Sequence, residues 1–218
     1  MTRPDPGLEA NLGLLRMTVA RLGDLADEFV FVGGCATGLL VTEVRPQAVR
    51  VTIDVDVVVG VTTVQGYYGI ESQLERRGFA RDLSPDAPLC RWVAPGLQLD
   101  VVPAEPGVVG SSNRWYRLAV ASATSFPLTA DQSIRLITAP VFVATKLEAF
   151  KDRGRGDLIA SHDLEDIVTV VNGRESLLAE IALAPGALRD YLVREFTTLL
   201  TNADFLPALA GHLPPDVA

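Results

Sequence analysis

Cysteine is scarce: Cys35 and Cys90 are the only two in 218 residues. Two thiols cannot make a disulfide scaffold, so reduced, cytoplasmic cysteines are the expectation. Long apolar runs are missing too. No stretch approaches the roughly 20 uninterrupted apolar residues that span a bilayer, and Met1 to Pro6 lacks the apolar core of a secretory signal. These absences predict a cytoplasmic protein with no membrane partner. Positive charge is in deficit, with 19 Lys and Arg against 27 Asp and Glu and a net charge of −8. A protein that coats nucleic acid is usually basic. Broad, sequence-independent binding is therefore excluded, whereas recognition of one structured RNA end is not. What the chain does have is apolar mass. At 48% hydrophobic content it can bury a full core, which excludes disorder and suits one generous domain or a core with a helical appendage.

Leu8, Leu12, Leu15, Val19, Leu22 and Leu25 recur at helical spacing and predict a first amphipathic helix. Phe29 to Val32 reads as a short strand ending in Gly33-Gly34, followed by a helix over Cys35 to Thr42. A strand is expected over Val49 to Val59, a helix over Val64 to Arg77 stopped by Gly78, and a hairpin of Leu89 to Val93 with Leu97 to Val102 about Pro95-Gly96. Residues 103 to 131 read as irregular, with a further strand at Ile134 to Thr138. From Pro140 the pattern is helical: Pro140 to Arg153, Ser161 to Asn172, and one or two helices between Gly186 and Leu209. The expected fold is α/β (α+β), with a mixed β-sheet core over residues 1–139 and a helical C-terminal region over 140–218 packed on that core.

Chemistry concentrates in Arg50-Val51-Thr52-Ile53-Asp54-Val55-Asp56-Val57-Val58-Val59. Read as one strand, it sends Thr52, Asp54 and Asp56 to one face and Val51, Ile53, Val55, Val57 and Val59 to the other. Two carboxylates about 4 Å apart at an effective dielectric of about 20 repel by roughly 4 kcal/mol. A divalent cation converts that repulsion into binding, and hard oxygen ligands suit magnesium. Asp100 is a third acid, on the second hairpin strand, and joins them if the two strands are neighbours. Three carboxylates could hold magnesium and a triphosphate for in-line displacement, with Asp100 an alternative base toward an attacking hydroxyl. Gly33-Gly34, at a strand end before a helix, suits close approach of a phosphate to backbone N–H groups.

Lys146 and Arg153 lie seven apart on one predicted helix and share a face that could clamp phosphates. Lys146 is the stronger candidate, because Val141, Phe142, Val143, Ala144 and Leu147 make its surroundings apolar. Asp163 and Asp166 share a face of the next helix, with Ser161 as its N-cap. His162 has no metal-like partner nearby in sequence, and Cys35 has no His to activate it.

Together these motifs resemble a known family. Gly33-Gly34, Asp54-x-Asp56 and Asp100 resemble the active-site pattern of the nucleotidyltransferase (DNA polymerase β-like) superfamily. Lys146 to Arg153 followed by Ser161 to Ile167 resembles its AbiEii/AbiGii branch, which includes toxins of toxin–antitoxin systems. The resemblance spans residues 29 to 175. It implies a nucleotidyltransferase fold and an enzyme that moves a nucleoside monophosphate from a nucleoside triphosphate such as ATP to a hydroxyl. It also implies magnesium on Asp54, Asp56 and Asp100, with Thr52 beside the first acid. Lys146 would contact the nucleotide phosphates, Arg153 would assist, Asp163 would position base, ribose or a cationic side chain, and Asp166 would support it. The implied acceptor is a tRNA 3′ end or a protein, with an antitoxin as partner. The alternative is a small molecule of the aminoglycoside or lincosamide type, or nucleotide binding without turnover. Two departures stand out. Gly34 replaces the family's usual serine, with Thr37 as the nearest substitute hydroxyl, and an insertion is expected around Glu43 to Gln47.

Overall fold

The computed structural model describes residues 5–43, 49–110, 113–154 and 156–213; most of the expected insertion, residues 44–47, lies outside them. The chain forms two compact units. One comprises residues 1–36 and 50–138, the other residues 37–49 and 139–218. Residues 37–43, assigned by sequence to the core, are grouped with the C-terminal helices.

The first unit opens on α1 (Pro6–Leu22), started by Asp5, whose carboxylate accepts from the Leu8 N–H, with Pro6 in the first turn. A short 3-10 segment, Gly23–Glu28, leads into β1 (Phe29–Val32). Then come α2 (Gly33–Leu40), which passes into the second unit at residue 37, β2 (Val55–Val59) and α3 (Val64–Arg76). Thr63 caps α3 at its N-terminus, and Gly78 ends it at φ +75°, with the Phe79 N–H reaching back to the Leu74 carbonyl. This is the glycine stop expected from sequence. β3 (Ala80–Arg81), β4 (Arg91–Ala94), β5 (Leu97–Pro103), α4 (Tyr116–Ser122), β6 (Thr124–Pro127) and β7 (Ser133–Leu136) complete the unit.

The seven strands make one mixed sheet in the order β3-β4-β5-β2-β1-β7-β6. β2 runs parallel to β5 and antiparallel to β1, and β1 runs parallel to β7. Every residue of β1 is buried, as are Val55, Val57, Val58 and Val59 of β2. Such continuously apolar strands need cover on both faces, which explains why β1 shows no alternation.

Three expectations fail here. The strand foreseen over 49–59 is only Val55–Val59, so the alternation does not extend back to Thr52. Val51 and Ile53, expected on one face with Val55 and Val57, are 56% and 73% exposed, whereas those two are buried. Residues 50–54 run as irregular chain held by side chains rather than by a ladder. The stretch 103–131 is not wholly irregular. Its Trp115, Ala119 and Leu128 anchors are buried, and they fix α4 and β6 despite the small, weakly patterned residues between them.

The second unit contains α5 (Ala139–Asp152), α6 (His162–Gly173), α7 (Leu177–Leu183), α8 (Gly186–Thr201) and α9 (Phe205–Leu209). The sequence pattern gives no sign of α7, a seven-residue helix with one buried residue, Leu177. The Thr42 and Glu43 N–H groups donate to the Gly173 carbonyl, and the Arg174 guanidinium donates to the Leu40 carbonyl. A Cβ on Gly173 would come within 2.8 Å of Val41. These contacts explain why residues 37–43 join this unit. Among the described residues no helix is long and apolar enough to cross a membrane.

Candidate active site

Strand pairing assembles the acids in the first unit. The parallel β2–β5 register sets Asp56 directly opposite Asp100, so the convergence anticipated for these strands occurs. The antiparallel β1–β2 register pairs Val32 with Asp56. The next residue, Gly33, therefore lies against the Asp56 carboxylate. Its φ is +68°, and a Cβ there would stand 1.9 Å from Asp56 Oδ2. Only glycine fits. Gly33→Ala is expected to cost at least about 1–2 kcal/mol from the left-handed backbone alone and to push Asp56 aside. A lowered melting temperature together with lost activity would show both effects; an unchanged melt would contradict the first.

Asp54 sits just ahead of β2 and is positioned by a relay. Asn11 of α1, 1% exposed, donates from Nδ2 to the Arg50 carbonyl at 2.9 Å and accepts the Thr52 N–H on Oδ1 at 3.0 Å. The Thr52 hydroxyl in turn donates to Asp54 Oδ1 at 2.8 Å. Thr52 is thus beside the first acid, as expected, and orients it. Asn11 is a site residue that the motifs do not reveal; its one signal is a polar side chain within the Leu8–Leu12–Leu15 apolar stripe. Gly34 also has a spatial reason to be small, since a Cβ there would lie 2.8 Å from the Arg50 guanidinium. Thr37 does not supply the missing hydroxyl: its residue is 1% exposed and its Oγ1 is enclosed.

Arg91 of β4 is a second residue outside the motifs. It pairs with Asp100 across the hairpin. Its Nε donates to Asp100 Oδ1 at 2.8 Å, and one terminal nitrogen donates to both Asp100 Oδ2 at 2.8 Å and Asp54 Oδ2 at 2.9 Å. The Asp100 hydrogen bonds, opposed by burial and reinforced by the charges of Asp100, Asp54 and Asp56, raise the Arg91 pKa above its ordinary value. Asp100 is 7% exposed. On the residue before Arg91, burial and then the charges of Asp100 and Asp56 push the Cys90 thiol up to about 12.

The second unit carries the other expected residues. Lys146 of α5 donates from Nζ to Asp163 Oδ1 at 3.1 Å and pairs with Asp166 Oδ2 at 2.6 Å. Its side chain is 8% exposed. Arg153 forks onto Asp163, with Nε to Oδ2 and a terminal nitrogen to Oδ1, both at 2.9 Å. The N-cap at Ser161 is present, its hydroxyl accepting the Leu164 N–H. Lys146, Arg153, Asp163 and Asp166 therefore form one ionic cluster tying α5 to α6. Arg153, with 71% of its side chain exposed, is the cation that reaches solvent. His162 is exposed and faces Glu165.

The mixed sheet thus holds Asp56 and Asp100 paired at its centre, with glycine at the end of β1. No protein-family model matches the sequence, and no curated protein matches it. Solved structures do. A nucleotidyltransferase-like antigenic protein from Paracoccidioides brasiliensis superposes with a TM-score of 0.51 at 19% identity, covering 93% of each chain. The antibiotic-resistance factor ANT(2'')-Ia superposes with a TM-score of 0.50 at 14% identity, covering 88% of this chain and 95% of that one. At these identities the likeness establishes the fold.

Proposed function

We propose that this protein is a magnesium-dependent nucleotidyltransferase that moves a nucleoside monophosphate from a nucleoside triphosphate to an acceptor hydroxyl and releases pyrophosphate. One observation carries the proposal: Asp56 and Asp100 are paired on neighbouring parallel strands, with Gly33 stripped of a side chain against the Asp56 carboxylate. An acid pair with a backbone cradle beside it suits a cation carrying a polyphosphate.

The donor set fits magnesium in a particular way. Among the described residues no three Asp, Glu, His or Cys side chains form a metal cage. Magnesium seldom uses such a cage; it binds one or two carboxylates together with substrate phosphates and water. Asp54 and Asp56 would hold it, with Asp100 adjoining, and it would offset charge developing on the transferred phosphoryl group. Thr52 and Asn11 keep Asp54 aimed. Gly33 and Gly34, at the start of α2, would let a phosphate approach the backbone N–H groups there. Asp100 would take the proton of the acceptor hydroxyl on a lone pair that the Arg91 fork does not use, as that hydroxyl attacks the α-phosphorus and pyrophosphate leaves. Lys146 and Asp166 organise the α5–α6 pair, and Asp163 holds Arg153 where it can meet an anion.

The acceptor we propose is an RNA 3′ end such as that of tRNA, or a protein hydroxyl, in a toxin–antitoxin setting. A cationic small molecule is the second reading. It is favoured by the net charge of −8, which steers cations, and by the likeness to an antibiotic-resistance factor. Each α-labelled nucleoside triphosphate, with magnesium, should be offered to total tRNA and separately to an aminoglycoside mixture, with an Asp54→Ala/Asp56→Ala control. Label on tRNA supports the first acceptor and label on the small molecule the second. Failure to bind any triphosphate would overturn the enzyme reading.

A further inference from the structure

Arg91 occupies a place in the acid cluster that a cation would claim. One of its terminal nitrogens is 2.8 Å from Asp100 and 2.9 Å from Asp54, so a permanent positive charge bridges two of the three acids. The two bridges are unequal. Asp100 receives two parallel N–H···O bonds and Asp54 only one. The fork onto Asp100 is the stronger and more directional arrangement, and it is fixed by the cross-strand pairing of residues 91 and 100. Asp54 is also the more open acid, its side chain 25% exposed against 9% for Asp100. The guanidinium can therefore give up Asp54 while it stays anchored on Asp100.

We propose that Arg91 is a positioning residue that serves as a built-in counter-ion, keeping free divalent cation off Asp54 and yielding that carboxylate only when the cation arrives on a triphosphate. This rests on the nucleotidyltransferase reading and adds an order of binding to it. Three carboxylates and one guanidinium leave the cluster two negative charges, which is a weak bid for a hydrated dication that must displace an ion pair. A triphosphate changes the balance. It brings most of the cation's ligands itself and offers phosphate oxygens, which suit an arginine fork, in exchange for Asp54.

The test uses manganese as the probe, titrated into the whole protein and followed by the loss of the free-ion electron paramagnetic resonance signal. Without nucleotide, Arg91→Gln should bind manganese about tenfold more tightly than the parent, the cost of roughly one displaced ion pair. Arg91→Lys keeps the charge but loses the fork, so a smaller gain is expected; it also serves if Arg91→Gln does not fold. Loss of a nearby positive charge would by itself raise affinity equally with and without triphosphate, so a gain confined to the nucleotide-free protein is the diagnostic sign. Binding of manganese with ATP, CTP, GTP and UTP is measured alongside, on the parent, on the Arg91 variants and on Asp54→Asn. If neither Arg91 variant gains affinity while the parent binds a manganese–triphosphate and Asp54→Asn does not, the counter-ion role is overturned and the proposed function stands. If the parent binds no manganese–triphosphate, both fall.

Discussion

Asp56→Asn is expected to leave the protein folded and to lower nucleotide transfer by at least about a thousandfold. Asparagine matches aspartate in size, and Asp56 lies half-buried on β2, so the β1–β2 and β2–β5 ladders should survive. What is lost is a charge beside the Gly33 cradle. Electrostatic stabilisation through a bound cation supplies several kcal/mol to the transition state, and each 1.36 kcal/mol is tenfold in rate. The measurement is transfer of α-label under saturating triphosphate, with circular dichroism and a melting curve run in parallel. Retained transfer by a folded Asp56→Asn protein would remove the acid pair from the mechanism.

The second large effect falls on stability. Lys146→Met should destabilise the helical unit by about 3–5 kcal/mol, the usual cost of breaking a buried ion pair by removing one partner. Asp163 and Asp166, 5% and 2% exposed, would lose a shared cation. Arg153 still serves Asp163, so most of the damage falls on Asp166. Adding Asp166→Asn to Lys146→Met should then recover part of the loss. Were Lys146 a simple phosphate clamp, the single variant would weaken nucleotide binding and leave the melt unchanged. The same cluster sets an acid limit. Burial alone would raise the Asp163 pKa, but the Arg153 fork and the Lys146 charge outweigh it and hold the carboxyl below its ordinary value. A depressed folded-state pKa contributes stability that is complete above the unfolded value, about 3.9, and drains as pH falls through the lower folded value. Asp163 should therefore contribute no slope to the melting temperature between about pH 5 and 8. Its contribution should begin to fall only below about pH 4 and be gone once the pH is below the lowered folded value, and Asp163→Asn should flatten that acid limb.

Much of the site is legible in the amino-acid sequence. Asp54, Asp56 and Asp100 stand out because acids inside β-branched runs demand a reason, and Gly33 because a glycine pair ends an apolar strand. Arg91 is equally within reach. A tight hairpin about Pro95-Gly96 pairs 94 with 97 and, by simple register, 91 with 100. The turn is evident from Pro-Gly, but Arg91 emerges only when the register is followed to its fourth pair. Asn11 is visible as the polar interruption of a leucine stripe, yet its partners are 39 and 41 residues away, and no local pattern encodes such a distance.

The chain by itself determined the elements with strong period or strong punctuation: β1, α1, the hairpin, α5, and α6 with its Ser161 cap. These depend on neighbours within a few residues, where side-chain spacing and capping dominate. Tertiary structure alone decided the rest. It cut the acid strand to Val55–Val59, because residues 50–52 spend their backbone groups on Asn11 rather than on a ladder. It tied Lys146 to α6, because only the packing of α5 on α6 brings Asp163 and Asp166 to its ammonium. It also placed Arg91 between two acids, since the charge balance of a site depends on which strands become neighbours, and that is a property of the whole sheet.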